Sequence, residues 1–357
     1  MSNPPVPPAS RPFSASPAAF DDMTEAMALP RLVRIGDNLY AAVFNLMKLL
    51  PAKHIIERAR QEGVLAPGAP VLETSSGTFA LGLALVCRRL GHPLTIVGDP
   101  AIDTDLRTRL EMLGTRVEIV DDFDAPGGIQ GARLARLEQL HRERPEAFVP
   151  GQYDNPGNPA AYLPVAELLA GALGRVDRVV GPVGSGGSTG GIASALRLFG
   201  HRVELVAVDT PGSVIFGLEN GPRPLRGLGS SILPGNVAHE AYDTVHWVSA
   251  AAAFDTTRRL FSEHGVFAGP TSGAAHLAAR WHAERDPHGT TVVVFPDDGF
   301  RYRDTVYSRP WLEEQGMWAP EVPADPRPVE PPHGLHPHWS VASWGRRPSP
   351  AAAALSA

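Results

Sequence analysis

The central part of this 357-residue chain alternates short apolar runs with longer amphipathic ones, and does so twice. APVLE (69–73), LTIVGD (94–99) and RVEIV (116–120) read as strands, with helices expected over residues 78–90 and 103–113. A second series runs through RVDRVVGPV (175–183), the helical GIASALRLFG (191–200), VELVAVD (203–209) and TTVVVFPDDG (290–299). Strands that alternate with helices of this length predict an α/β fold of parallel sheets with crossover helices. The polar, turn-rich QYDNPGNPAAY (152–162) separates the two series, so two lobes are expected. A ligand would then lie in the crevice at the carboxyl ends of the strands.

The expected division is a disordered tail over residues 1–20, a large lobe over residues 21–55 and 150–318, a smaller mobile lobe over residues 56–149, and a disordered Pro-rich tail over residues 319–357. Proline at the density of both tails opposes helices and central strands, and the apolar pattern there is too thin for a core. His333, His336 and His338 fall in the second tail. They lack the acidic or cysteine companions of a metal site, so they read as solvated.

Net charge is -6 with the basic residues dispersed, which does not point to nucleic-acid binding. The one cysteine, Cys87, excludes a disulfide within the chain and fits a reducing compartment. No apolar run has the length of a membrane span, and the N-terminus lacks the core of a signal peptide, so a cytoplasmic location is expected. Of 32 basic residues only Lys48 and Lys53 are lysines. Arginine supplies charge but cannot lose its proton, whereas lysine can. Two lysines kept by chance and a lysine kept for chemistry both fit that count.

Two turns between a strand and a helix are candidate binding sites. In GPVGSGGSTGG (181–191), five of the eight residues from Gly184 to Gly191 are glycine. Glycines let backbone approach a phosphate, and the following helix directs free N–H groups toward it. Ser185, Ser188 and Thr189 add hydroxyls. The loop has neither the Lys of a P-loop nor a dinucleotide fingerprint, which suits a singly phosphorylated cofactor. The flanking strand and helix favour this reading over a flexible Gly/Ser turn. In ETSSGT (73–78), four hydroxyl residues surround Gly77 at a helix start. That is more than N-capping needs, and such a turn can hold a carboxylate.

A lysine, a hydroxyl-rich turn and a later Gly-rich turn, in this order, resemble the fold-type-II pyridoxal-phosphate enzymes of the cysteine synthase and cystathionine β-synthase group. QYDNPGNP (152–159), GSGGSTGG (184–191), RGLGSSILP (226–234), HGVFAGPTSGAA (264–275) and FPDDGFRY (295–302) are similar to successive family segments. VDTPGSVIFG (208–217) and the Trp311-Leu-Glu-Glu end resemble the branch that makes N-(2-amino-2-carboxyethyl)-L-glutamate, a precursor of 2,3-diaminopropionate.

The resemblance implies pyridoxal phosphate as cofactor, amino-acid substrates and a homodimer. In that family the lysine that attaches the cofactor lies fifteen residues before a glycine that Gly63 resembles, so the resemblance implies Lys48 for that role, with Lys53 a solvated helix residue. Gly184, Ser185, Gly186, Gly187 and Ser188 would hold the phosphate, Thr271 would meet the pyridine nitrogen, and Thr78 would meet the phenolic oxygen. Ser75, Ser76, Gly77 and Gln152 would hold the substrate carboxylate. Arg226 stands where acetylserine-using relatives carry Gln. With Arg223 nearby, it suits O-phospho-L-serine as donor, since guanidinium pairs with phosphate in a bidentate manner.

The family's Asn-Pro-x-Gly-Ser before the lysine is FNLM (44–47) here, Leu49-Leu50 replaces Asp-Arg, and Ala80 replaces a helix-start glycine. A more apolar pocket on the lysine side is therefore expected. The leading expectation is β-replacement giving a β-substituted alanine, with an amine such as glutamate as nucleophile. A sulfide-using cysteine synthase, a β-eliminating lyase and a silent paralogue are the alternatives.

Overall fold

The computed structural model describes residues 19–330 and 334–350. Residues 1–18 of the expected N-terminal tail, His333 and residues 351–357 lie outside the described residues. The chain opens with α1 (Met23–Ala26) and an antiparallel hairpin of β1 (Arg31–Arg34) and β2 (Leu39–Val43). It continues through α2 (Leu49–Gln61), β3 (Val71–Thr74), α3 (Thr78–Leu90), β4 (Leu94–Gly98), α4 (Thr104–Met112), β5 (Arg116–Ile119) and α5 (Gly128–Glu143). Then come α6 (Gly157–Ala160), α7 (Leu163–Leu173), β6 (Arg178–Pro182), α8 (Gly187–Leu198), β7 (Glu204–Asp209) and β8 (Thr244–Val248). The last elements are α9 (Ala250–His264), α10 (Pro270–Arg285), β9 (Thr291–Phe295), α11 (Arg309–Glu314), β10 (Arg327–Pro328) and β11 (Trp339–Ser343).

Two sheets result. β3-β4-β5 is parallel throughout, and the other eight strands run β1-β2-β9-β6-β7-β8-β11-β10. The larger sheet is parallel from β2 to β8 and turns antiparallel at β1 and β11. Its central strands are covered on both faces, which is why they read as continuous apolar runs. Val179, Val180, Val292, Val293 and Val294 are wholly buried. One face carries Val165, Leu169, Ile192 and Leu196 from α7 and α8; the other carries Phe254, Leu260, Ala274 and Ala278 from α9 and α10. Among the described residues no helix is long and apolar enough to cross a membrane.

Two expectations need correction. The boundary placed between residues 55 and 56 falls inside one continuous helix, α2. Leu49, Ala52, Ile56 and Ala59 on that helix all pack into the core of the three-stranded sheet. The described part of the C-terminal segment is likewise part of the fold rather than a disordered tail. β11 pairs with β8, from Trp339 opposite Val248 to Ser343 opposite Thr244. Trp339 and Trp344 are 1% and 3% exposed, so the two tryptophans provide the burial that proline density argued against. Pro328 sits on the outermost strand, where its missing N–H costs no ladder bond. Nor are His336 and His338 simply solvated: the His336 ring accepts from the His338 N–H at 3.1 Å, and the His338 carbonyl accepts from Ser249 N–H at 2.9 Å.

Burial also fixes histidines in the neutral form. His276 on α10 is pushed down from 6.5 to about 3 by burial and by Arg280, His264 and Arg259. A depressed value means that the unfolded chain takes up this proton as pH falls below the ordinary value, while the folded chain does not. The stability from neutral His276 is present above about pH 6.5 and is lost as pH falls toward 3. Replacing His276 by Leu removes this sensitivity. The urea midpoint of His276→Leu, measured against wild type, should rise steadily on going from neutral to mildly acidic pH. A pH-independent difference would show that the imidazole is protonated within the folded protein.

Candidate active site

Lys48 immediately precedes α2 and its side chain points into the protein. Its Nζ donates to Ser185 Oγ at 2.7 Å. The partner is a hydroxyl and not a carboxylate, so the contact supplies a hydrogen bond but no opposite charge to hold the proton. Burial pushes the amine down from 10.5 to about 8. α3 approaches this point backbone to backbone: a Cβ at Gly82 would lie 2.9 Å from the Lys48 carbonyl oxygen and 3.2 Å from Leu49 Cα. Lys53, one turn along α2, is paired with Glu57 instead.

Ser185 belongs to the Gly-rich turn from β6 into α8. Gly186 adopts φ 82°, and a Cβ there would stand 2.7 Å from the Asn236 carbonyl oxygen and from Val237 Cα. A Cβ on Gly187 would overlap Asn158 Oδ1, at 2.1 Å. No side chain caps α8, and Ser188 is buried in its first turn. Asn158 Nδ2 donates to Ser185 Oγ at 3.1 Å and to the Gln152 carbonyl at 2.6 Å. The amine, the hydroxyl and an asparagine amide thus converge at an uncapped helix start.

The same segment reaches the hydroxyl-rich turn. Gln152 Nε2 donates to the Thr74 carbonyl at 2.8 Å, and its N–H donates to Glu73 Oε2 at 3.3 Å. Burial pushes the Glu73 carboxyl up to about 7, against the pull of its backbone donors and Arg133. Within the turn, Ser75 Oγ accepts from Gly77 and Ala80 N–H at 3.3 and 3.2 Å, so Ser75 caps α3. Ser76 Oγ accepts from Arg133 Nη1 at 2.8 Å and from Asp99 N–H at 3.0 Å. Thr78 borders a cleft between the bodies built on the two sheets, together with Asn45, Arg109, Asp297 and Arg301.

Thr271 is buried in the first turn of α10, and a Cβ on Gly227 would touch its Cγ2 at 3.5 Å. Arg226, next to Gly227, has a 62% exposed side chain whose Nη1 lies 3.9 Å from Asp99 Oδ1. Asp99 Oδ2 faces Arg133 Nη1 at 3.4 Å, so this carboxylate stands between two guanidinium groups. Arg223 is committed elsewhere. Its Nη1 donates to the Gly212 carbonyl, to Asn220 Oδ1 at 2.9 Å and to the Gly221 carbonyl at 3.2 Å.

Sequence reading missed Asn158, Arg133 and Asp99. Asn158 lies within QYDNPGNP and was available to it. Arg133 is one of three arginines on α5, indistinguishable in sequence from the other two, and only its 5% exposure singles it out.

A model of the pyridoxal-phosphate dependent enzymes matches residues 47–297. Two relatives named N-(2-amino-2-carboxyethyl)-L-glutamate synthase are similar to this chain. The one from Ralstonia nicotianae is 37% identical over 296 residues, and the one from Cupriavidus metallidurans is 35% identical over 303 residues. Each match covers 80% of this chain and 88% of the relative. Among solved structures, the O-acetylserine dependent cystathionine β-synthase of Helicobacter pylori aligns with TM-score 0.75 at 26% identity, covering 81% of this chain and 99% of the other. O-ureido-L-serine synthase aligns with TM-score 0.71 at 26% identity, covering 80% and 94%.

A chain with two lysines allows a direct reading of the buried amine. With lysine-selective 13C labelling of the ligand-free protein, two Cε resonances are expected. The one lost in Lys48→Arg should titrate with a midpoint near 8. A midpoint near 10.5 would mean that the amine is solvated.

Proposed function

The chain belongs to the pyridoxal-phosphate dependent enzyme family, and from that membership we propose β-replacement on an O-activated L-serine, with O-phospho-L-serine as donor and L-glutamate as amine nucleophile. The cofactor is pyridoxal phosphate. The residues present fit it: an amine lies beside a turn whose Gly186 and Gly187 cannot carry a Cβ without meeting backbone or Asn158, at a helix start with no side-chain cap. Gly184, Ser185, Gly186, Gly187 and Ser188 would hold the phosphate, Thr271 the ring nitrogen, and Lys48 the aldehyde carbon. When bound, the cofactor supplies an electron sink that weakens the bonds at the amino-acid α-carbon.

The observation that carries this reading is the buried Lys48 amine, 2.7 Å from Ser185 Oγ and lowered to about 8. Lys48 Nζ can take the α-proton near neutral pH and later return it, which an ordinary lysine would do poorly. Gln152, held to Thr74, and the turn of Ser76 and Gly77 would position the substrate carboxylate, with Ser75 shaping that turn as its cap. Arg133 at Ser76 and Arg226 across Asp99 place two guanidinium groups beside the same turn. A phosphate leaving group is a dianion that such a pair stabilises as its bond to the β-carbon breaks. The relatives' name supports glutamate as the nucleophile. A homodimer belongs to this reading through the family resemblance alone.

Borohydride reduction of the yellow holoenzyme should fix the cofactor on the Lys48 peptide, and Lys48→Ala should abolish both label and turnover. With phosphoserine as donor, product analysis should show the glutamate adduct in preference to cysteine when glutamate and sulfide are offered together. Arg226→Gln should raise KM for phosphoserine by about tenfold while sparing O-acetylserine. Unchanged phosphoserine kinetics in that variant would remove Arg226 from the donor site, and cysteine as sole product would replace the amine reading with a sulfide one.

A further inference from the structure

The residues after α11 form an ordered strand between β8 and β10, followed by a short segment that reaches α8, the helix that starts at the Gly-rich turn, through Tyr242 and Asp243. β11 alternates its faces, as a strand must. Trp339 enters the core on the α9 and α10 side, while Ala342 and the following Trp344 enter the core on the α8 side. Past the strand, the Trp344 and Gly345 N–H groups donate to the Asp243 carbonyl at 2.8 and 3.0 Å, and the Arg346 N–H donates to the Tyr242 carbonyl at 2.9 Å. Arg346 holds φ 58°, a left-handed conformation unfavourable for an L side chain. Its Nε donates to Asp243 Oδ1 at 2.8 Å.

Tyr242 and Asp243 are in turn fastened to α8. The Tyr242 hydroxyl lies 3.1 Å from Thr189 Oγ1 in the first turn, wholly buried. Asp243 Oδ2 accepts from Arg197 Nη2 in the last turn at 3.1 Å and from the Leu205 N–H at 2.8 Å. Trp344 packs edge-on against Phe216 at 5.0 Å, and Phe216 packs against Tyr242 at 5.4 Å. The Tyr242 hydroxyl therefore has a fixed ring behind it and a defined height along α8.

We propose that the C-terminal segment from Trp344 to Arg346 braces α8 through Tyr242 and Asp243, and so sets the position of the Gly-rich turn for the cofactor phosphate. Trp344, Tyr242 and Asp243 are positioning residues: they act through Thr189 and Arg197 and do not themselves touch the cofactor. The inference rests on the reading of residues 184–188 as the phosphate cradle. Its physical basis is that a helix N-terminus binds an anion well only when its N–H groups are held in place before binding.

The test compares three variants, each checked for folding by circular dichroism. Tyr242→Phe removes one hydroxyl, Trp344→Leu loosens the brace, and Trp339→Phe perturbs the same segment at its other end, beside His246 and Trp281. Two quantities are read: the Kd for pyridoxal phosphate by absorbance titration of the cofactor-free protein, and amide hydrogen exchange of peptides spanning residues 184–198. Tyr242→Phe and Trp344→Leu should each raise the Kd by about fivefold, the worth of one hydrogen bond, and speed exchange at the start of α8. Trp339→Phe should leave both at wild-type values even where it lowers Tm. Wild-type Kd and exchange in folded Tyr242→Phe would overturn the brace. So would an equal change in Trp339→Phe, since the segment would then act only through global stability. If the wild-type protein takes up no pyridoxal phosphate, the cofactor reading falls, and the exchange pattern alone decides whether the brace exists.

Discussion

An amine buried against a hydroxyl is the contact around which this molecule is organised. A lysine drawn out of water without a carboxylate is held by packing, and burial disfavours its charged form relative to a solvated lysine. The surrounding structure has to supply that cost. α3 closes on the Lys48 backbone through Gly82, and Ser185 meets the amine from the opposite body. Lys48 is one of several residues through which the three-stranded and eight-stranded bodies of the protein share polar contacts.

The polar groups behind that contact form a continuous chain. Glu73 and Thr74 hold Gln152, the Gln152 carbonyl holds Asn158, and Asn158 holds Ser185. Thr74 Oγ1 and Asn158 Oδ1 are buried without a partner among the described residues, but the linked donors and acceptors fix relative positions more closely than apolar packing does. It couples the turn at residues 73–78, on one body, to the turn at residues 184–188, on the other. The two binding turns therefore sit at a defined separation although Gly184 lies 110 positions after Thr74. Asp99 adds a second link across the cleft, because the guanidinium groups that flank it come from α5 and from the loop before Gly227.

Glycine positions record the same closeness from the steric side. At Gly186 and Gly187 a methyl group would meet the Asn236 and Val237 backbone or the Asn158 amide, none of which is free to move. These glycines are demanded by what packs against the turn as much as by the turn itself. That explains why a run of glycines marked the turn in the sequence, while of the residues that impose the requirement only Asn158, within QYDNPGNP, lay in a recognisable segment and Val237 and Asn236 did not.

The sequence by itself determined the alternation of strands and helices, the two Gly- and Ser-rich turns, and a pair of lysines in a chain that otherwise uses arginine. Each of these is a local property: strand burial imposes apolar runs, tight turns impose glycine, and a titratable amine imposes lysine. The tertiary structure alone decided which hydroxyl caps and which faces the cleft, so that Ser75 serves α3 while Ser76 meets Arg133. It also decided that α2 belongs with the smaller sheet, and that a proline-rich C-terminal segment pairs with β8. Those outcomes depend on partners distant in the chain. Arg133 is an unremarkable helix residue until Asp99 and Ser76 arrive beside it, and Trp339 and Trp344 have no core to enter until β8 and α8 have formed one.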